Sequence, residues 1–177
     1  VARRIRMRIE SWDTDFLADQ ENVFGRSKTS GAPLTGRDEF DTVDLSARNA
    51  HGKPVIPMDA HIRLAAPATS AGQRILRRGY SFTDGIDPDT GLLDAGLFFI
   101  AYQKDPRKQF VAIQQRLGRH DALNEYIRHT SSALFAVPPG VSAPGDWFVK
   151  SLFVELTRLF ATLQANDCPS PLELSFG

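Results

Sequence analysis

The run Asp94-Ala-Gly-Leu97-Phe-Phe99-Ile-Ala-Tyr-Gln103 limits this chain more than any other feature. Side chains alternate along a strand, so Leu97 and Phe99 point one way and Phe98 and Ile100 the other. Both sides are apolar, which predicts a strand at about 95–103 lying inside a sheet with both faces covered. At 177 residues and 42% apolar content the chain can build one real core, and about one domain is expected at this size.

Residues 1–10 alternate as cleanly. Val1, Arg3, Ile5, Met7 and Ile9 share one face, and Ala2, Arg4, Arg6, Arg8 and Glu10 the other, predicting a half-buried strand with a basic second face. Such a face reads first as solvated arginine surface, with an anion lying against it as the alternative. Ser11 to Gly25 carries capping residues, an apolar stripe at helical spacing, acids in its first turn and a terminal glycine, the marks of a helix. Residues 25–57 are irregular and too long for a plain connection, which points to a functional loop. Within it Arg26 and Lys28 lie among small residues in a pattern suited to an anion.

After Pro57 the pattern predicts a short helix begun by Asp59 and carrying His61. A strand at about 75–83 and the turn-rich 84–91 then form a hairpin with the strand at 95–103. Asp105-Pro106 supplies a cap and a first-turn proline, and Phe110, Ile113 and Leu117 carry a helix to Gly118. Ala133-Leu-Phe-Ala-Val137 predicts a fourth strand, stopped by Pro138-Pro139-Gly140. Strand, helix, strand, strand, helix, strand is the split βαβ order of an α+β, ferredoxin-like antiparallel sheet with both helices on one face. The other face then needs a planar cofactor, a second domain or another subunit to cover it.

Composition excludes several functions. Lysine plus arginine equals aspartate plus glutamate at 21 each, which leaves no global basic footprint for nucleic acid. The one cysteine, Cys168, forbids an intrachain disulfide framework and any multi-cysteine metal site. No signal-peptide pattern opens the sequence, and no association with a membrane is expected.

Chemistry concentrates in Pro57-Met-Asp-Ala-His61-Ile-Arg63-Leu-Ala and the following Leu76-Arg77-Arg78-Gly79-Tyr80. Without further context a lone histidine is more often structural than a ligand, and His51, His120 and His129 are expected at the surface. Four ordered blocks change that reading for His61. Asp59 to Pro67, Leu76 to Ser81, Asp94 to Gln103 and Gln109-Phe110-Val resemble the dye-decolorizing peroxidases, and residues 1 to about 153, including the loop from Gly25 to Pro33, look like the C-terminal part of such an enzyme.

The resemblance implies two ferredoxin-like domains of the dimeric α+β barrel type in the whole enzyme, with b-type haem against the sheet of the second. It maps His61 onto the proximal ligand of the haem iron, Arg77 onto the distal arginine, and Leu97 and Phe99 onto the apolar wall of the distal pocket. The second ring nitrogen of such a histidine usually donates to a carboxylate, here Asp59 or Glu125. Arg26 and Lys28 are candidate contacts for the haem propionates, and Gly79 would leave room above the iron. The implied reaction reduces hydrogen peroxide and oxidises dyes, phenolics or similar donors through a ferryl intermediate. The alternative is a haem-binding part that is catalytically impaired, that acts only with a partner chain or that handles iron or haem. A homo-oligomer, or association with a preceding domain, is expected.

Two departures from the family accompany the match. Its Gly-x-x-Asp-Gly motif precedes the strand with which this sequence opens, and Asp84-Gly85 and Asp87 read as turn formers rather than substitutes. Residues 154–177 have no counterpart and form an atypical tail, partly helical through Leu152, Leu156, Leu159 and Leu163, that could dock on the sheet's flank or on another subunit.

Overall fold

The alternating N-terminal residues become an inner strand. In the computed structural model, which describes residues 1–165 without the side chains of 151–152, 159–160 and 162–165, β1 (Ala2–Met7) lies between β3 (Leu93–Tyr102) and β4 (Ile127–Ala133), and β2 (Leu76–Ile86) flanks β3. Every pairing is antiparallel and the order is β2-β3-β1-β4, the ferredoxin-like arrangement that the element order predicts. Arg3 pairs with Phe99, Ile5 with Leu97, Gly79 with Phe99 and Arg77 with Ala101. Paired residues share a face, so Arg3, Ile5, Arg77, Gly79, Leu97 and Phe99 stand on one side of the sheet. Arg4, Arg6, Arg78, Tyr80, Phe82, Asp94 and Phe98 stand on the other. Gly96 is required where β1 and β3 meet, because a Cβ there would lie 2.0 Å from the carbonyl oxygen of Ile5.

The helix expected over 11–25 is two pieces, α1 (Ile9–Trp12) and α2 (Leu17–Phe24). The buried side chain of Gln20 donates to the carbonyls of Trp12 at 2.7 Å and Asp15 at 3.3 Å, satisfying backbone groups that the break would strand. Gly25 closes α2 in the left-handed region at φ 75°, and a Cβ there would lie 2.4 Å from Cγ2 of Ile62, so only glycine fits. The histidine helix α3 (His61–Ala65) starts from Ala60, one residue later than the cap predicted at Asp59. A π-helical turn over Arg107–Val111 leads into α4 (Ala112–His120), and Asp105 accepts from the backbone N–H of Arg107 at 2.9 Å as the predicted cap does.

The fourth strand corrects the sequence reading. It runs over 127–133 rather than 133–137. Its sequence, Ile-Arg-His-Thr-Ser-Ser-Ala, is polar because an edge strand is solvated on its free side, so the apolar run beyond it attracts the eye instead. Leu134, Phe135 and Val137 are exposed.

Between Arg26 and Pro54 the chain makes only two isolated bridges, Arg26 with Pro33 and Arg48 with Pro54. The segment is fastened by the buried Arg63 of α3, whose guanidinium donates to the carbonyls of Leu45 (2.9 Å), Ile56 (2.8 Å) and Pro57 (3.0 Å). Backbone contacts divide the chain into two units, Val1–Leu134 and everything from Phe135 onward. The second holds α5 (Lys150–Ala165), near whose start the rings of Trp147 and Phe153 lie 5.6 Å apart. Of the predicted leucine stripe, Leu156 is exposed, and the side chains of Leu152, Leu159 and Leu163 lie outside the described residues, as does Cys168. No described helix is long and apolar enough to cross a membrane.

Candidate functional site

A five-residue helix has too few internal hydrogen bonds to hold a side chain in place by itself. The helix of His61 is braced from outside by Arg63 and by Arg116 of α4, whose Nε donates to the carbonyl of Leu64 (2.7 Å) and Nη1 to that of Thr69 (2.9 Å). The imidazole is fixed by Asp121. Its Nδ1 lies 2.6 Å from Oδ2 of that carboxylate, whose side chain is only 2% exposed and whose Oδ1 accepts from the N–H of Leu123 at 3.0 Å. A carboxylate can only accept, so Nδ1 carries a ring proton, and in the neutral imidazole Nε2 is then the atom with the lone pair. The sequence reading offered Asp59 or Glu125 for this partner. Both are exposed, and Asp59 instead accepts the N–H of Ala122 on its backbone carbonyl at 3.0 Å. Asp121 also caps the short turn over Ala122–Glu125. One side chain serving both ends is a three-dimensional fact with no linear signature.

Behind the imidazole an aromatic stack closes the layer. Phe24 meets His61 edge-on with 6.3 Å between centroids, Trp12 meets Phe24 at 5.5 Å, and Tyr126 meets Trp12 at 4.9 Å. Hydrogen bonding to Asp15, then burial, pushes the Tyr126 hydroxyl up to about 12.

The sheet supplies the rest. Helix α3 packs on α4, and the π-helical turn before α4 sends Phe110 to within 6.2 Å of the Phe99 ring and 4.9 Å of the Arg3 guanidinium. The layer that bears His61 therefore covers the side of the sheet that carries Arg77, Gly79, Leu97 and Phe99. Sequence reasoning set the cofactor residues on the face away from the helices, and the side chains fall on the same one. On that side Ala95 and Ala101 are buried while Leu97, between them in the strand, is 37% exposed, so the middle of the strand lies open and its ends do not. Of the doubled arginine, Arg77 takes this face; Arg78 turns to the other and donates to the hydroxyl of Tyr80 at 3.3 Å. Gly79 sits against Leu97, where a Cβ would approach Cδ1 to 2.9 Å.

Arg26 donates to the carbonyls of Gly31 (2.5 Å) and Glu39 (3.0 Å), bracing its own loop, and Lys28 donates to the side-chain oxygen of Gln20 (2.7 Å), tying that loop to α2. His51, His120 and His129 are exposed, as expected. Asp84, Asp87 and Asp94 leave the face of Arg77 free of sheet carboxylates. Asp84 and Asp94 pair with Arg4 at 2.7 and 2.9 Å, and Asp87 bonds Arg6 while accepting two turn N–H groups.

Among the described residues no cluster of three or more histidine, cysteine, aspartate or glutamate side chains could hold a bare metal ion. A single imidazole held at Nδ1, in the layer over the sheet face of Arg3, Arg77, Leu97 and Phe99, instead suits a metal that arrives inside a flat macrocycle and takes one protein ligand.

Comparison with known proteins agrees with this chemistry. The family model described as Dyp-type peroxidase, C-terminal, matches residues 1–142. The chain is 51% identical over 139 residues to a dye-decolorizing peroxidase of Thermobifida fusca, covering 78% of this chain and 32% of that protein. It is 44% identical over 154 residues to a deferrochelatase of Yersinia pestis, covering 86% and 35% respectively. Among solved structures, a DyP-type peroxidase from Streptomyces coelicolor superposes with a TM-score of 0.79 at 43% identity, over 85% of this chain and 41% of that one. An oxyferrous/water mixed complex of DtpA from Streptomyces lividans gives 0.80 at 43%, over 85% and 41%. The chain thus spans about a third of the length of the curated relatives it matches.

Proposed function

This chain belongs to the Dyp-type peroxidase family through that family's C-terminal part, and on that basis we propose that it holds the haem of a haem peroxidase that reduces hydrogen peroxide and oxidises dyes, phenolics or similar donors. The observation that carries the reading is the His61–Asp121 pair, set in the helical layer over the sheet face of Arg77, Leu97 and Phe99.

His61 is assigned to the haem iron through Nε2. Asp121, by holding the proton at Nδ1, gives the imidazole part of an anion's basicity and fixes its plane. When bound, haem supplies the redox chemistry, taking two electrons to peroxide and returning to rest by oxidising a donor. Arg77 is assigned to the distal side, where a guanidinium charged at every working pH stabilises the negative charge that develops on the departing oxygen. Leu97 and Phe99 keep that charge out of water, which strengthens the interaction, and removing such a donor costs ~3–4 kcal/mol in barrier.

The experiment is a haemin titration of the purified chain. A histidine-ligated Soret band is expected in the wild type, and its loss in His61→Ala; a band that survives the substitution would remove His61 from the iron. Relatives named deferrochelatase support a second reading, iron or haem handling at the same site. Dye bleaching by peroxide with the porphyrin intact favours the peroxidase, and build-up of fluorescent iron-free porphyrin favours the alternative.

A further inference from the structure

Resting on that reading of the site, we propose that Arg3 is the residue that holds a carboxylate at the rim of the bound macrocycle, a haem propionate. Strand β1 carries Arg3, Arg4 and Arg6, and their surroundings differ by parity. Arg4 and Arg6 meet carboxylates at every turn: Asp84, Asp87 and Asp94. Arg3 projects from the opposite face, pairs in register with Phe99, and lies over the ring of Phe110 at 4.9 Å. Its Nε and Nη1 are buried and have no hydrogen-bond partner. The nearby titratable side chain, His129, is no counterion, because an imidazole is never an anion; burial and then the positive charge of Arg3 lower its pKa.

A guanidinium whose buried nitrogens find no acceptor costs free energy unless an anion completes it. A planar fork of donors matches a carboxylate in bidentate fashion. Arg3 stands in the same cross-strand row as Gly79 and Phe99, so an apolar plate lying over those two residues brings its edge to the fork. A porphyrin has that shape, with carboxylates at its edge and nowhere else.

The test compares haemin with haemin dimethyl ester, in which the propionates are neutralised, by Soret titration of the full chain and of Arg3→Met, Arg3→Lys and Arg26→Met. Hydrogen bonds to a charged group of this kind correspond to about a tenfold to hundredfold change in affinity. The wild type is expected to bind haemin more tightly than the diester by that factor. Arg3→Met should weaken haemin to the level of the diester, leave diester binding unchanged, and retain the histidine-ligated band position; Arg3→Lys should recover part of the preference. Equal weakening of both ligands in Arg3→Met would mark a packing role and overturn the proposal. So would a preference that persists in Arg3→Met and vanishes in Arg26→Met. If neither compound gives a band with the wild type, the reading of His61 fails and Arg3 falls with it. A band that depends on His61, together with a preference blind to Arg3, defeats the Arg3 assignment only.

Discussion

The two faces of the sheet are built from the same residue types and solve opposite problems. On one, Arg4 stacks 4.1 Å above the ring of Phe82 while bonding Asp84 and Asp94, and Arg6 bonds Asp87 and lies 3.7 Å from Asp94, so each cation has its anion within the hairpin. On the other, Arg3 lies over the Phe110 ring and Arg77 is exposed, and neither pairs with a sheet carboxylate among the described residues. The basic strand that reads in the sequence as solvated surface is thus half neutralised by the chain's own acids, the less expected of its two interpretations. The remaining charge is held where an external anion would complete it. Electrostatic closure marks one face, and its lack marks the face proposed to hold the cofactor.

Substitutions can test that contrast. Gly96→Val should have the largest effect, because it drives a side chain into the backbone of β1 and dismantles both faces together. A loss of more than about 4 kcal/mol in urea unfolding is expected, and a loss under about 1 kcal/mol would mean that the β1–β3 contact is looser than described. Asp94→Ala attacks the closed face, where the carboxylate and both arginines are about one-fifth to one-quarter exposed. It should cost about 1 kcal/mol, discounted for screening, and the difference should shrink in 1 M salt. The same face should weaken in acid. Arg6 holds the Asp87 carboxyl below its usual range, so its contribution is present above the ordinary aspartate value and disappears as pH falls from about 4 downward.

Beneath the proposed functional side, hydrogen bonding to Asp15 and then burial push the Tyr126 hydroxyl up to about 12, above an unfolded tyrosine at about 10. Its stabilisation is therefore complete below pH 10 and lost as pH rises toward 12. Tyr126→Phe should flatten that stretch of the stability profile, and an unchanged profile would exclude the Asp15 bond. Arg3→Met should have the smallest effect without ligand, within about 0.5 kcal/mol or slightly stabilising, since it removes an uncompensated buried cation. A large destabilisation measured by thermal unfolding would show that this arginine belongs to the structural face after all.

How much of this was legible depends on how local each determinant is. The alternation of β1 and β3, the glycine closing α2 and the Asp105 cap are written within a few residues, and they were readable. The fourth strand was displaced because its hydrogen bonds are specified by β1 rather than by its own polar sequence. The helix at 11–25 reads as continuous because the break is stabilised by Gln20, a residue that looks like ordinary surface. His61, Arg77, Leu97 and Phe99 are identifiable only through their ordered blocks, since any ferredoxin-like sheet would carry such hydrophobics. The partner of the imidazole and the isolation of Arg3 were beyond reach, because each rests on what faces a side chain across a gap of dozens of residues.

The guanidinium of Arg63 gives the irregular stretch before Pro57 a different mechanical character from that of a tether. Two of that stretch's carbonyls, Leu45 and Ile56, and that of Pro57 are anchored by a side chain two residues from the imidazole, which couples peeling the segment away to tilting the ring. Wear on this surface, whether from a protease or from heat, would register first as a tilted ring at His61, long before the sheet itself came apart.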